Sequence, residues 1–115
     1  YVWDLTKICA EWNTLTVRLM LMARKDRDVV SAASVDYLMY SGYAMMAYFW
    51  AQMAAVASEK LENGGADEAG FYTAKLQTAE FYFERILPRT KGHAEAMVRP
   101  ARTLTQMEID HFAFQ

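Results

Sequence analysis

One cysteine, two prolines and five glycines are all that 115 residues contain. The lone Cys9 excludes an internal disulfide and fits a reducing compartment. With Pro88 and Pro100 as the only prolines, long helices are left largely unbroken. The chain has no Gly-rich phosphate loop, no cysteine pair and no G-x-S-x-G. It has no internal repeat, no low-complexity stretch and no strand-like alternation. It also lacks an excess of either charge, with 12 basic against 14 acidic residues and a net charge of −2. That balance gives no global attraction to nucleic acid or to an anionic membrane. The opening YVWDLTK lacks a basic region followed by an apolar one, so no signal peptide is read there. It also lacks an initial Met, which points to a chain beginning inside a longer protein. The expected organisation is one domain, residues 1–115, in the cytoplasm.

Charge is missing altogether from Tyr37 to Ser58. About 20 apolar residues cross a bilayer, so length alone allows a membrane span. Composition argues against one. Leu38, Phe49 and Val56 are the strongly apolar members, Tyr43 and Tyr48 lie toward the middle, and Gln52 would need a partner in hydrocarbon. The run is read instead as the central helix of a soluble bundle. At 54% hydrophobic residues, the chain has more apolar surface than a small bundle easily hides.

The periodicity predicts three long helices. In the first, Leu5, Ile8, Trp12, Leu15, Leu19 and Met22 follow the 3-4 spacing of one apolar face. Arg24 and Lys25 close it, and Asp28 or Ser31 caps the next helix. The second runs to about Glu62 and has two faces. One is marked by Leu38, Gly42, Met45, Phe49, Gln52 and Val56. The other, marked by Tyr40, Ala44, Ala47, Ala51, Ala54 and Ser58, is made almost wholly of small residues. Asn63-Gly64-Gly65 ends it and Asp67 caps the third helix. The third contains Pro88, yet its apolar phase survives from Leu76 through Ala79, Phe83, Leu87, Thr90 and Met97 to Ala101, Leu104 and Met107. One long helix, kinked near Pro88 and frayed near Pro100, is expected. The fold class is all-α: an up-down-up antiparallel bundle of three helices, or four if the kink is counted as a break.

Constellations with chemical potential are few. Glu108 and His111 form the Glu-x-x-His pair of di-iron carboxylate bundles. Such sites need two pairs and two further glutamates, and this chain has one pair near its end. Cys9 is read as a buried, inert thiol. Arg85, Arg89 and Arg99 share one side of the third helix and form a candidate anion contact, or a solvated face paired with Glu84 and Glu95. Eight methionines are core filler or the lining of an adaptable groove. Phe81-Tyr82-Phe83 spans most of a helix circumference, so at least one ring must point away from a three-helix core. The candidate interface is Tyr40, Ala44, Ala47, Ala51, Phe81 and Tyr82, residues expected to need cover from outside the chain. Catalytic, cofactor-binding and metal positions are assigned to none.

Tyr37-Leu38…Gly42…Trp50-Ala51…Ala54, then Phe71-Tyr72-x-x-Lys75-Leu76-x-x-Ala79-x-Phe81-x-Phe83, then Leu87-Pro88-Arg89-Thr90, resembles a known pattern. It is that of the extra C-terminal helical domain in a subfamily of acyl-CoA dehydrogenases. The relatives in view act on 3-methylmercaptopropionyl-CoA or are bacterial long-chain homologues. The resemblance covers nearly the whole chain and rests on packing motifs. It implies a parent flavoenzyme of fatty-acid type that binds FAD and removes hydrogen from the α and β carbons of an acyl-CoA. The family's catalytic glutamate and flavin contacts belong to earlier parts, so Glu59, Glu80 and Glu84 inherit no role. It further implies packing on the parent's catalytic domains, a homo-oligomer, and no nucleic-acid or membrane partner. The other class of reading is a stand-alone interaction module or binder of a hydrophobic ligand.

Overall fold

The computed structural model describes residues 1–64 and 68–112, all helical or in turns, with no strand among them. Helix α1 spans Val2–Ala23, α2 spans Asp28–Glu62 and α3 spans Ala69–Phe81. The chain then continues through a π turn, Tyr82–Ile86, and a 3-10 turn, Leu87–Arg89, into α4, Thr90–Met97. A short α5, Arg102–Thr105, and a 3-10 turn, Ile109–Phe112, complete it. This is the expected all-α bundle, with the third helix joined across Pro88. Apolar spacing made the helices legible. Leu15 and Ile8 are buried on α1, and Leu5, Trp12 and Leu19 pack against the core from the same side.

Helix ends follow local chemistry. Arg24 and Lys25 form the turn after α1, and Asp26 accepts the Asp28 N–H through its carboxylate at 3.1 Å. The N-cap position of α2 is Arg27, which makes no side-chain cap bond, so the expected cap is not formed and the Asp26 carboxylate instead braces the turn before the helix. Asp28 is already helical, and Ser31 lies a turn inside. After Glu62 the chain turns at Gly64, whose φ of 85° is the left-handed conformation expected there. The expected cap Asp67 and the glycine at 65 lie outside the described residues.

The Pro88 kink explains how two neighbouring rings both turn inward. Pro88 has no N–H to give to a carbonyl four residues back. The preceding turn widens, and the Leu87 N–H reaches the Tyr82 carbonyl. Tyr82 and Phe83 are then both buried, whereas Phe81 is 56% exposed. From Tyr82 to His93 the chain advances eleven residues, while the α2 residues they contact, Tyr43 and Asp36, are seven apart. The kink takes up chain that a straight antiparallel helix would spend on rise. The core register holds as far as Ala101, which is buried. It does not extend to Leu104 and Met107, because α4 ends at Met97 before Pro100 and both side chains are exposed.

Helix α2 is the spine. Its 35 residues correspond to a rod about 52 Å long. Helix α1 lies antiparallel along its first half, tied by Trp12 Nε1 donating to Ser41 at 3.0 Å and by the Thr16 and Tyr37 hydroxyls at 2.8 Å. Helix α3 packs on its second half, with Lys75 Nζ 5.9 Å from the Trp50 ring centre. The segment after the kink returns to the first half, where His93 Nδ1 meets Asp36 at 2.8 Å.

Candidate interaction surface

The small-residue face of α2 forms the inside of the domain. Tyr40 and Ala47 are 0% exposed, and Ala44, Ala54 and Ala57 are also buried. Ala51 is half-buried against the same core. Small side chains let α1, α3 and α4 approach the α2 backbone closely, which gives more contact area than a bulky face would. Of the six residues expected at an interface, Tyr40, Ala44, Ala47 and Tyr82 are thus covered by this chain itself, and Ala51 in part. Phe81 alone keeps a largely exposed side chain.

The bulky face is the one left open. Leu38 is 69% exposed and Phe49 50%, and Met45 and Val56 are exposed with them. Gln52 also sits on this face and donates to the Tyr48 hydroxyl at 2.9 Å. Two apolar recesses flank this strip. One, about 860 Å³, lies between α1 and α2 and is lined by Leu19, Met20, Val30, Tyr37 and Leu38 among others. The other, about 200 Å³, lies between α2 and α3 and is lined by Met53, Val56, Phe71 and Lys75 among others. The larger recess has one methionine in its wall, so the expected methionine-rich lining is not what makes it apolar.

The polar constellations are dispersed. Arg85, Arg89 and Arg99 are all exposed, and Arg99 pairs with Glu95 at 3.5 Å one turn away. No cluster of three metal-ligating side chains occurs among the described residues. Glu108 and His111 are exposed and share only a backbone bond, His111 N–H to the Glu108 carbonyl. Cys9 is exposed, contrary to the buried thiol expected, because its neighbour Ile8 takes the core position. No described helix is long and apolar enough to cross a membrane.

Three polar pairs inside the bundle escaped the sequence pattern. Tyr40 donates to Glu11 at 2.6 Å, and burial, reinforced by that carboxylate, raises its phenol far above the usual range. Tyr82 donates to the Tyr43 carbonyl, and burial pushes its phenol up to about 12. His93 and Asp36 pin α4 to α2, with the Tyr43 ring 5.9 Å from the imidazole. All three tie helices together. Asp36 closing the charge-free run was the one available hint of an inward-facing acid.

The fold and its surface define an all-α helical domain that carries an open apolar face. The chain belongs to the family described as acetyl-CoA dehydrogenase C-terminal like, whose model matches residues 1–108. No curated protein and no solved structure matches the chain.

Proposed function

We propose that this chain is the non-catalytic C-terminal accessory domain of an FAD-dependent acyl-CoA dehydrogenase, of the 3-methylmercaptopropionyl-CoA subfamily. It packs on the catalytic body of its parent, supports assembly, and borders the substrate entrance. The flavin and the catalytic base lie in the parent's other domains. The observation that carries this reading, beside the family match, is surface area. The chain exposes 8663 Å², whereas a compact monomer of 13.2 kDa exposes about 6,400 Å². The exposed surface includes the apolar outer face of α2, a surface type that soluble monomers keep small. The test is the sequence encoded upstream of Tyr1. A flavin-binding dehydrogenase region is expected, and its absence sinks the reading.

Within the same proposal, Arg85, Arg89 and Arg99 contact CoA phosphates or an acidic face of a neighbouring subunit. Replacing all three by Ala in the parent raises the Michaelis constant for acyl-CoA or weakens assembly. If neither changes, the stripe is a solvated face. The recess beside Leu38 favours a second reading, a stand-alone binder of a hydrophobic ligand. A lipid or acyl compound found by mass spectrometry on the purified chain supports that alternative.

A further inference from the structure

The recess between α1 and α2 is apolar along its walls and cationic at one end. Its α1 wall is Thr16, Leu19, Met20 and Ala23, and its α2 wall runs from Val30 to Ser41, about 16 Å of helix. Its volume, about 860 Å³, lies in the range of small-molecule sites. Every hydroxyl on the walls is already bonded within the chain. Thr16 donates to the Trp12 carbonyl and meets the Tyr37 hydroxyl, Ser34 donates to the Ser31 carbonyl, and Ser41 accepts from the Trp12 indole. The walls therefore have little to offer a docked polypeptide, whose interface takes roughly one hydrogen bond per 100–200 Å². A hydrocarbon chain asks for none. The end at the α1–α2 turn differs. Arg24 follows Met20 by one helical turn and Arg27 precedes Val30 by nearly one, and both keep right-handed helical backbone, with φ of −66° and −65°. Helical register therefore sets both guanidinium side chains in line with the walls, just beyond the apolar stretch. Neither makes an ion pair among the described residues. The turn holds Arg24, Lys25 and Arg27 against Asp26 and Asp28, which leaves a single positive charge. The Asp26 carboxylate is itself taken up by the Asp28 N–H.

We propose that this recess binds a single-chain amphiphile with a monoanionic head, a long-chain carboxylate. Its hydrocarbon lies along the α1 and α2 walls and its head lies between Arg24 and Arg27. The inference rests on the second reading above and narrows it from any hydrophobic ligand to one of stated charge. Charge selects the head. One net positive charge matches one carboxylate, and guanidinium groups offer it the planar, paired donors that it accepts. Met20, Val30 and Leu38 select the tail. They are exposed at the lips of the recess, and a hydrocarbon chain laid between them takes these side chains out of water. The far end, where Ser41 meets Trp12, has no cation in its wall, so the head belongs at the turn.

Isothermal titration calorimetry of the chain with dodecanoate, dodecyl phosphate and dodecyltrimethylammonium, each below its aggregation concentration, tests tail and head together. Dodecanoate is expected to bind one to one, roughly tenfold or more tighter than dodecyltrimethylammonium, and to weaken as salt rises. Replacing both arginines, Arg24→Gln with Arg27→Gln, is expected to remove that preference. Val30→Glu sets a carboxylate in the wall beside the head and is expected to weaken dodecanoate by roughly tenfold or more. All three positions are exposed, so helicity by circular dichroism stays at the wild-type level. Absence of saturable dodecanoate binding overturns the proposal, as does a head preference that survives loss of both arginines. Equal affinity for all three heads overturns the carboxylate and leaves the hydrophobic-ligand reading standing. Tighter binding of dodecyl phosphate than of dodecanoate overturns the match to a single charge.

Discussion

Tyr40 carries two loads at one position. Its ring fills the core where α1 crosses α2, and its hydroxyl reaches Glu11 at 2.6 Å. Tyr40→Phe keeps the packing and removes a hydrogen bond to a charged group, so urea denaturation should show a loss of about 1–2 kcal/mol. Tyr40 and Tyr82 also set an alkaline limit. Their phenols stay neutral in the fold, held up mainly by burial, whereas in the unfolded chain they ionise near pH 10. Above pH 10 the unfolded state releases protons that the folded state keeps, so stability is intact below pH 10 and falls as pH rises toward 12. Tyr82→Phe should flatten that decline, read as urea midpoints at pH 8 and pH 11. None of this was legible in the sequence, where Tyr40 and Tyr82 read as outward residues. Tyr40 belonged to the small-residue face expected to need outside cover and Tyr82 to a run of three rings too wide for one core face, and their partners, Glu11 and the Tyr43 carbonyl, are 29 and 39 residues away along the chain.

At the scale of the element, helix α2 decides the architecture. Its two faces were visible in the sequence as two interleaved series, and its end at Glu62 and the left-handed Gly64 were legible from turn chemistry. Which series faces inward was not. Hydrophobicity ranks Leu38, Phe49 and Val56 above Ala44, Ala47 and Ala54, so single-residue burial preference points the wrong way. Close approach of helices decides instead, and it favours alanine. The two faces should therefore respond oppositely to substitution. Ala47→Leu forces a larger side chain into a fully buried contact and should cost about 1–3 kcal/mol. Phe49→Ser, half in solvent, should change the stability of the single chain by no more than about 0.5 kcal/mol. Denaturation at concentrations low enough to keep the chain monomeric separates the two. The joined third helix shows the same limit. Phase continuity across Pro88 survived in the fold, but the π turn that buries both Tyr82 and Phe83 depends on which carbonyl replaces the bond lost at the proline. Spacing does not encode that choice.

For the molecule as a whole, shape and composition agree. The radius of gyration is 19.9 Å, against about 13 Å for a compact chain of this length. A domain so extended has a high share of surface, and 54% hydrophobic residues leave part of that surface apolar. The excess of apolar residues over what a small bundle hides was legible from composition alone. Its location was not, because that depended on which α2 face turned inward. The account's central claim is that the outer face of α2 is covered in the assembled protein. Thiol labelling in the full-length parent tests it most directly, using Met45→Cys with the exposed Cys9 replaced by Ser, and Val2→Cys in the same background as the reference. Val2 is 81% exposed and lies on α1, at the start of that helix. The account predicts that position 45 reacts at least tenfold more slowly than position 2 in the native assembly, and equally fast once the protein is unfolded. Equal rates in the native assembly would contradict it.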